Sequence, residues 1–299
     1  MSNLGKLRRL YLLVEKVDNA FHPTFDELYD YYYDHGFEVS KRTVQRDIET
    51  LRIEFGIEIA YHRFRNGYYV DREHSLNVNS FFRFLEYANT ADLLSEDIRQ
   101  NKNNLEYIHF ESQGKLKNLH LLKELMFAIR NDRIISFTHY NFSKETTKSF
   151  TVYPYGLKEY QSRWYVVGMV ENIDNPLKFG IDRIEELNVH DQTFDKDPHF
   201  DMNDLFDDVV GLRTDREKEE ILLHFTPFQG KYIKTLPLHP SQEVVEENDQ
   251  GITVKLKVRP NFELKQKLMM QCQAVKVIQP QWLAKEMQEI YREALENYK

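Results

Sequence analysis

Apolar residues recur every three or four positions along the first 55 residues, a spacing that predicts three helices. Thr24 and Glu27 have the spacing of a capping box, in which two side chains satisfy free backbone N–H groups at a helix start. Gly36 favours a tight turn or a helix stop before the third stripe. The three stripes are Leu7, Leu10, Tyr11, Val14 and Val17; Phe25, Leu28 and Tyr32; and Val44, Ile48, Leu51 and Phe55.

The third predicted helix has a polar face rich in side chains that contact nucleic acids. These side-chain types bind phosphate oxygens and read base edges in protein–DNA complexes. A solvated amphipathic helix would show the same pattern, so the helix alone leaves both interpretations open. The candidate DNA-contacting residues are Ser40 at the helix start, followed by Lys41, Arg42, Thr43, Gln45 and Arg46.

A β-hairpin is predicted directly after this helix. Residues 57–61 alternate apolar side chains with polar or small ones, as in a half-buried strand, and Tyr68, Tyr69 and Val70 form the return strand. Asn66-Gly67 is a strong turn signal. Arg63 and Arg65 lie at the predicted tip, where they suit contact with phosphates, although a solvated loop tip could carry the same residues.

The first 72 residues resemble the winged helix-turn-helix of bacterial transcription regulators. Element order supports the resemblance, as does the run SKRTVQRDIETLR at 40–52. This run is similar to the S-x-R-T-x-x-R-D-I-x-x-L recognition-helix pattern of DeoR-like and WYL-domain regulators. The resemblance implies that the basic helix contacts duplex DNA and that the hairpin lies along the sugar-phosphate backbone.

Bulk properties restrict the other function classes. A length of 299 residues predicts two or three domains, and a net charge of −8 argues against coating nucleic acid non-specifically, although it allows a local basic face. The single cysteine, Cys272, excludes an internal disulfide and a cysteine-based zinc site. No signal-peptide core or membrane-spanning apolar run is found, so we expect a cytoplasmic protein without a membrane partner.

Residues 73–118 are polar and compatible with helix. Their apolar positions are sparse and begin with the stripe Phe81, Phe82, Leu85, Tyr87 and Ala88. The segment is interpreted as a helical linker that carries dimer contacts. A plain spacer is the alternative, and the sequence does not distinguish the two.

Residues 119–200 predict a second domain, with a helix at 120–130 followed by short strands. The strands are β-branched or aromatic and are separated by turn residues. Closure of the sheet would remove exposed edges, so the pattern predicts a small β-barrel. The predicted strands cover 134–140, 149–155, 163–170, 178–184 and 187–194.

Three sequence blocks in this region resemble the WYL domain. They are Tyr153-Pro154-Tyr155-Gly156-Leu157, Arg163-Trp164-Tyr165-Val166-Val167-Gly168 and Phe179-Gly180-Ile181-Asp182-Arg183-Ile184. The resemblance implies an Sm-like or SH3-like barrel. It also implies a bound effector, such as a nucleotide or an oligonucleotide.

Aromatic residues interleaved with arginine can stack on bases and pair with phosphate. Arg163 and Tyr165 share one strand face, while Trp164 lies on the other and is predicted to be core. Arg183 could contact the effector or form an ion pair with Asp182 or Glu185. The candidate effector-binding residues are Tyr140, Tyr153, Arg163, Tyr165, Lys178 and Arg183.

One departure from the WYL pattern concerns Leu177 and Gly180, which stand where many WYL domains carry arginines. The effector would then be less charged than a polyphosphate, or the barrel would be mainly structural.

Residues 201–299 are predicted to form an acidic linker and an α+β extension. The acidic run at 194–208 suggests calcium, but it lacks the EF-hand spacing and central glycine, so a solvated linker is favoured. The later strands and helices suggest a ferredoxin-like sandwich. The V-x-V-x-x-P-x-W-L run at 275–283 resembles the extension that follows WYL domains, with a role in dimer contact, in closing the effector site or in stability alone.

The sequence as a whole predicts a multidomain α+β protein. No nucleotide-loop, dinucleotide, zinc-protease or nucleophile-elbow motif is found, so neither an enzyme nor a cofactor is predicted. The predicted function is a homodimeric repressor that binds an inverted-repeat duplex operator and responds to an effector. The family resemblance implies a link to phage defence or DNA damage. The alternative is an accessory protein that binds single strands or RNA and modulates an effector enzyme through its WYL barrel.

Overall fold

The computed structural model describes residues 3–76, 78–100 and 117–299 of the chain. The chain divides into two compact units, Met1–Gln113 and Gly114–Lys299. Both units mix helices with antiparallel sheets, so the predicted multidomain α+β class is confirmed. No helix among the described residues combines the length and the apolar character needed to cross a membrane.

In the described part of the first unit, four helices and a hairpin surround one core. Thr24 caps the second helix: its hydroxyl accepts from the Glu27 N–H, and the Glu27 carboxylate accepts from the Thr24 N–H at 2.7 Å. The predicted capping box is therefore confirmed. The elements are α1 (Asn3–Asn19), α2 (Phe25–Asp34), α3 (Lys41–Phe55), β1 (Ile59–His62), β2 (Gly67–Val70) and α4 (Val78–Gln100).

The start of α4 is part of this unit rather than a spacer. Val78, Phe81 and Leu85 are buried in the same core as α1 to α3, and the Phe81 ring lies 4.9 Å from that of Phe55. Tyr87 of the predicted stripe is instead 67% exposed. The plain-spacer alternative is therefore wrong for 78–85. Residues 101–116 of the predicted linker lie outside the described residues, and its dimer contacts stay a prediction.

The second unit begins with a helix packed on a five-stranded antiparallel sheet. The strand order is β6-β5-β4-β3-β7, and side chains such as Leu125, Ile135 and Val152 form the core between the helix and the sheet. Trp164 is partly buried and packs against this core, in keeping with its predicted place. The elements are α5 (Leu121–Arg130), β3 (Arg133–Asn141), β4 (Thr146–Tyr160), β5 (Arg163–Val170), β6 (Ile173–Gly180) and β7 (Ile184–Thr193).

The prediction of a closed barrel is wrong. Among the described residues, no ladder joins the edge strands β6 and β7. A 3₁₀ turn at Ile181–Arg183 separates them and breaks the strand that was predicted over 178–184. Helix α5 covers the apolar face of the sheet, so the core is buried without pairing of the two edges.

The rest of the second unit forms a four-stranded antiparallel sheet of order β11-β8-β10-β9, with helices in its connections. The acidic segment before it differs from the predicted solvated linker, because Phe206 and Val209 are buried with Val167. Asp208 also accepts from the Arg259 guanidinium at 2.8 Å. The elements are α6 (Met202–Phe206), β8 (Glu219–Phe225), α7 (Pro227–Thr235), β9 (Glu243–Asn248), β10 (Gly251–Val258), α8 (Phe262–Met270), β11 (Val275–Gln279) and α9 (Gln281–Glu296).

Candidate nucleic-acid interface and candidate effector site

The N-terminus of α3 is held by a side-chain cap. Ser40 precedes the helix in an extended conformation, and its Oγ accepts from the Thr43 N–H at 3.2 Å. The Ser40 and Thr43 hydroxyls also lie 3.1 Å apart and hydrogen-bond to each other. Both residues therefore fix the start of α3, in addition to the DNA contact predicted for them.

A buried ion pair fixes α3 against the other helices. Arg9 on α1 donates to the Asp47 carboxylate through Nε at 2.8 Å and Nη2 at 3.2 Å, and the Tyr32 hydroxyl of α2 donates to the same carboxylate at 3.2 Å. All three residues are at most 3% exposed. The hydrogen bond to Asp47 raises the pKa of Arg9, while burial and then the Asp47 charge raise the pKa of Tyr32 well above its ordinary value.

The apolar spacing of the helices did not predict this three-residue contact, which we call the Arg9–Asp47–Tyr32 triad. A signal was available, because Asp47 lies three residues after Val44 and four before Leu51, in the middle of the apolar face. A charge at such a position is stable only with a partner and hydrogen bonds. The triad holds the basic face of α3 in one orientation relative to α1 and α2.

The basic side chains of α3 fall into two groups. Lys41 is engaged, because its Nζ lies 2.5 Å from Asp26 Oδ1, and this contact raises the pKa of Lys41. Arg42, Gln45 and Arg46 are exposed, and their side chains make no hydrogen bond or ion pair with any described residue. The second group supplies donors that no described residue occupies.

The hairpin presents further cations from a four-residue loop, 63–66, because His62 pairs with Gly67. Arg63 and Arg65 are both exposed, and the Arg65 guanidinium lies 4.6 Å over the ring of Phe21. Phe64 between them is 100% exposed. The structure thus places the two predicted arginines at the hairpin tip, together with two aromatic rings that the sequence analysis did not select.

Gly67 is required for close packing of the hairpin. A Cβ at this position would lie 1.8 Å from the His22 carbonyl oxygen. The next residue, Tyr68, donates its N–H to the Pro23 carbonyl at 2.8 Å. The two residues of the Asn-Gly turn therefore have different roles. Asn66 takes the left-handed conformation at φ 53°, and Gly67 allows the hairpin to contact residues 22–23.

In the second unit, a charged cluster lies at one end of the five-stranded sheet. Arg163 Nη1 lies 2.8 Å from Asp182 Oδ2, and Arg183 Nε lies 3.6 Å from Asp182 Oδ1. The Arg183 guanidinium also lies 4.8 Å from the centre of the Phe142 ring. The ion pair that the sequence analysis kept as an alternative for Arg183 is therefore present.

Gly180 makes room for this cluster. A Cβ there would lie 2.6 Å from Arg183 Nη2 and 2.7 Å from Asp182 Oδ1. The Arg183 guanidinium thus lies beside the position at which many WYL domains carry an arginine. The expected loss of positive charge at Gly180 is therefore offset locally by Arg183, which is itself paired with Asp182.

Three buried polar atoms in this cluster have no hydrogen-bond partner among the described residues: His139 Nε2, Asp182 Oδ1 and Arg183 Nε. Burial lowers the pKa of His139, with the nearby Arg183 charge as the second cause. Burial also raises the pKa of Tyr165, whereas Arg183 and Arg163 act in the opposite direction. The cluster thus places buried donor and acceptor atoms beside the exposed side chains of Arg163, Tyr140 and Phe142.

The structure brings together some of the predicted effector-binding residues and separates others. Tyr140 joins the cluster through Phe142, since their rings lie 5.7 Å apart. Tyr153 packs instead on Phe194, with ring centres 5.3 Å apart, and Lys178 donates to the Thr214 hydroxyl at 2.8 Å. No contact among the described residues joins Tyr153 or Lys178 to Arg183. The candidate site therefore consists of Tyr140, Arg163, Tyr165 and Arg183, with His139 and Asp182 added by the structure.

Among the described residues, no group of three or more histidine, cysteine or acidic side chains is placed to hold a metal ion. The only cysteine in the sequence, Cys272, is exposed and unpaired.

Two solved structures are similar to nearly the whole chain. The proteasome accessory factor B/C (PafBC) of Arthrobacter aurescens is 16% identical with a TM-score of 0.33, and the match covers 96% of this chain and 46% of that chain. This chain therefore spans less than half the length of that protein. A crystal structure of a CRISPR Cas-related protein is 14% identical with a TM-score of 0.38, over 99% of this chain and 85% of the other.

The comparison with curated proteins gave no match. Residues 120–189 match the WYL domain and contain all six predicted effector-binding residues, which confirms the resemblance seen in the three sequence blocks. Residues 217–295 match the WCX domain. The chain therefore carries a WYL domain followed by a WCX domain.

Proposed function

We propose that the chain is a sequence-specific DNA-binding transcriptional regulator whose first unit is a winged helix-turn-helix. The observation that carries the proposal is the exposed, unpaired face of α3 formed by Arg42, Gln45 and Arg46. The Ser40 cap and the Arg9–Asp47–Tyr32 triad hold this face in a fixed orientation. A helix held in a fixed orientation suits recognition of a rigid duplex, because binding then orders only the contacting side chains and not the helix that carries them.

In this proposal α3 enters the major groove and its first two turns read base edges. Arginine pairs with guanine and glutamine with adenine through two hydrogen bonds, each worth about 1–3 kcal/mol of discrimination. Lys41, Arg63 and Arg65 contact phosphates, which positions the protein and makes affinity fall as salt rises.

The wider proposal is a homodimeric repressor that is not an enzyme. Two copies of α3 would enter successive major grooves about 34 Å apart, so the operator would be an inverted repeat. We call the candidate effector site around Arg163, Asp182 and Arg183 the WYL cluster. An effector bound there would shift DNA affinity by a coupling free energy of about 1–3 kcal/mol. The assignment of the four-stranded sheet as a ferredoxin-like dimer contact belongs to the same proposal, and so does a regulon linked to phage defence or DNA damage.

The test is selection of binding sites from a pool of random duplexes with the full-length chain, followed by gel shifts on the recovered duplex. We expect an inverted repeat, and we expect Arg42→Ala combined with Arg46→Ala to weaken binding at least about 100-fold, since two base contacts are lost. The control, Arg130→Ala with Arg292→Ala, removes the same charge from exposed positions of the second unit and should bind nearly as wild type.

A second function is favoured by one observation, the exposed Tyr140 and Phe142 beside Arg183. Aromatic rings beside arginine stack single-stranded bases with little sequence preference. The chain would then be an accessory protein that binds single strands or RNA through its WYL domain. Wild-type binding that a single-stranded oligonucleotide displaces, and that survives the Arg42 and Arg46 changes, would favour this function over the first.

A further inference from the structure

The tip of the β1–β2 hairpin carries a bare aromatic ring between two cations. Phe64 is 100% exposed and stands between the exposed Arg63 and Arg65. A single exposed apolar side chain is common on protein surfaces and says little by itself. The surroundings of Phe64 make it informative, because the loop that carries it is rigid and the hairpin that carries the loop has no acidic residue between 59 and 70.

Hydrogen bonds and close packing hold the loop in place. The Arg65 N–H donates to His62 Nδ1 at 3.2 Å, and the Tyr61 hydroxyl donates to Asn66 Oδ1 at 2.5 Å. At the base of the loop, Gly67 packs directly against the His22 carbonyl. A tip fixed in this way presents the Phe64 ring without the entropy cost of ordering a flexible loop on binding.

The rings below the tip support it. His22 and His62 pack edge to face at 5.2 Å, and the His62 ring lies 6.3 Å from that of Phe64. Phe21 extends this group, with its ring 4.9 Å from His22 and beneath the Arg65 guanidinium. The rings below the tip therefore contact each other edge to face, with Phe64 as the outermost ring and the Arg65 guanidinium over Phe21.

Charge identifies the partner. The hairpin residues 59–70 contain two arginines and no acid, so the surface around Phe64 suits a polyanion better than an apolar protein groove. In duplex DNA an apolar side chain can enter between base pairs from the minor groove, while neighbouring cations contact the phosphates on either side. The spacing Arg-Phe-Arg provides one wedge with a cation on each side.

We propose that Phe64 is an unstacking wedge: on bound duplex DNA the hairpin tip enters the minor groove, Arg63 and Arg65 contact phosphates, and the Phe64 ring inserts into a base-pair step. The inference rests on the proposed function and adds a mode of binding to it. The insertion kinks the duplex toward the major groove by about 20–90°. It also favours flexible pyrimidine–purine steps at the insertion point, although no hydrogen bond reads them.

The experiment uses the full-length chain and the duplex recovered by selection, with donor and acceptor dyes at its two ends. A second set of duplexes carries 2-aminopurine at successive steps, since this base brightens when it is unstacked. Wild type should shorten the end-to-end distance and brighten one step in each half-site. Phe64→Ala should abolish both signals and weaken binding about tenfold, whereas Phe64→Leu, which keeps an apolar wedge, should retain both.

The matched control is Phe127→Ala, which removes an exposed aromatic ring from α5 of the second unit and should leave every signal unchanged. Wild type that binds without bending or brightening would overturn the inference, as would Phe64→Ala that bends the duplex like wild type. A change in sedimentation of Phe64→Ala with unchanged bending would overturn it too, by assigning the ring to contact between copies of the chain. If only the wedge inference is wrong, the Arg42 and Arg46 changes still weaken binding to the selected duplex. If the proposed function is wrong, wild type selects no duplex, and the wedge inference is then wrong as well.

Discussion

The α3 face and the WYL cluster both contain two arginines, but within the described part of the chain the arginines are unpaired on α3 and paired with a carboxylate in the WYL cluster. On α3, Arg42 and Arg46 are exposed and have no partner among the described residues. In the WYL cluster, Arg163 and Arg183 share Asp182, and buried polar atoms remain without hydrogen bonds. The first arrangement suits a long polyanion that supplies its own counter-charges. The second suits a smaller ligand with both donor and acceptor groups, since a strongly anionic one would be repelled by Asp182.

Both regions also depend on a buried or half-buried carboxylate with two partners. Asp47 is 1% exposed and orients a whole helix, whereas the Asp182 side chain is 21% exposed and orients two arginines. A buried carboxylate paired with arginine thus holds a helix in place, whereas one near the surface sets the positions of charged side chains in a candidate binding site.

The largest effect is expected at Asp47. Asp47→Ala removes the carboxylate that accepts two hydrogen bonds from the buried Arg9 guanidinium, so the free energy of unfolding should fall by about 3–5 kcal/mol, measured in urea on the full chain. Asp26→Ala, which removes the exposed partner of Lys41, should cost much less, because solvent screens an ion pair on the surface. If the two variants are equally stable, the triad does not hold α3 as described.

A smaller effect is expected at Asp182. Asp182→Asn keeps the shape of the side chain but removes the charge that pairs with Arg163 and Arg183. Binding of a fluorescent nucleoside monophosphate by the second unit's cluster should then tighten about tenfold, equivalent to about 1.4 kcal/mol. Glu185→Gln is the matched control at an exposed neighbouring position and should change little. Equal affinity of wild type, Asp182→Asn and Glu185→Gln would show that the Asp182 charge does not affect binding of an anionic ligand.

The smallest effect is a pair of opposite pH slopes. The folded pKa of His139 is lowered from 6.5 by burial, so below pH 6.5 the unfolded chain takes up a proton that the folded chain refuses, and stability falls as pH drops. The pKa of His74 is raised by its hydrogen bond to Asp71, so its contribution is complete below pH 6.5 and is lost as pH rises through the folded pKa.

The measurement is the free energy of unfolding of the full chain between pH 5 and 8, for wild type, His139→Gln and His74→Gln. Removing His139 should flatten the acid side of the curve, and removing His74 should flatten the neutral side. Matching slopes in the two variants would contradict the assignment of a buried histidine to the WYL cluster and an exposed one to the first unit.

Local sequence patterns predicted most of the elements. The helical stripes and the Thr24–Glu27 capping box depend on residues within a few positions of each other, so a single sequence contains them. The same holds for the three WYL blocks, whose residues, order and spacing indicated the domain found at 120–189. The predictions were wrong where the local structure depends on contacts with distant residues. One case is the strand predicted over 178–184, which a 3₁₀ turn interrupts.

The sequence by itself therefore determined where helices and strands lie and which helix carries the basic face, because backbone propensity and apolar spacing are local. Only the tertiary structure decided that Asp47 meets Arg9 and Tyr32, that the sheet stays open beneath α5, and that Gly180 leaves room for Arg183. These outcomes depend on which distant side chains compete for the same buried space and charge. The sequence pattern indicated Arg63 and Arg65 as candidate contacts but not Phe64. The exposure of Phe64 at a hydrogen-bonded hairpin tip is a property of the folded unit.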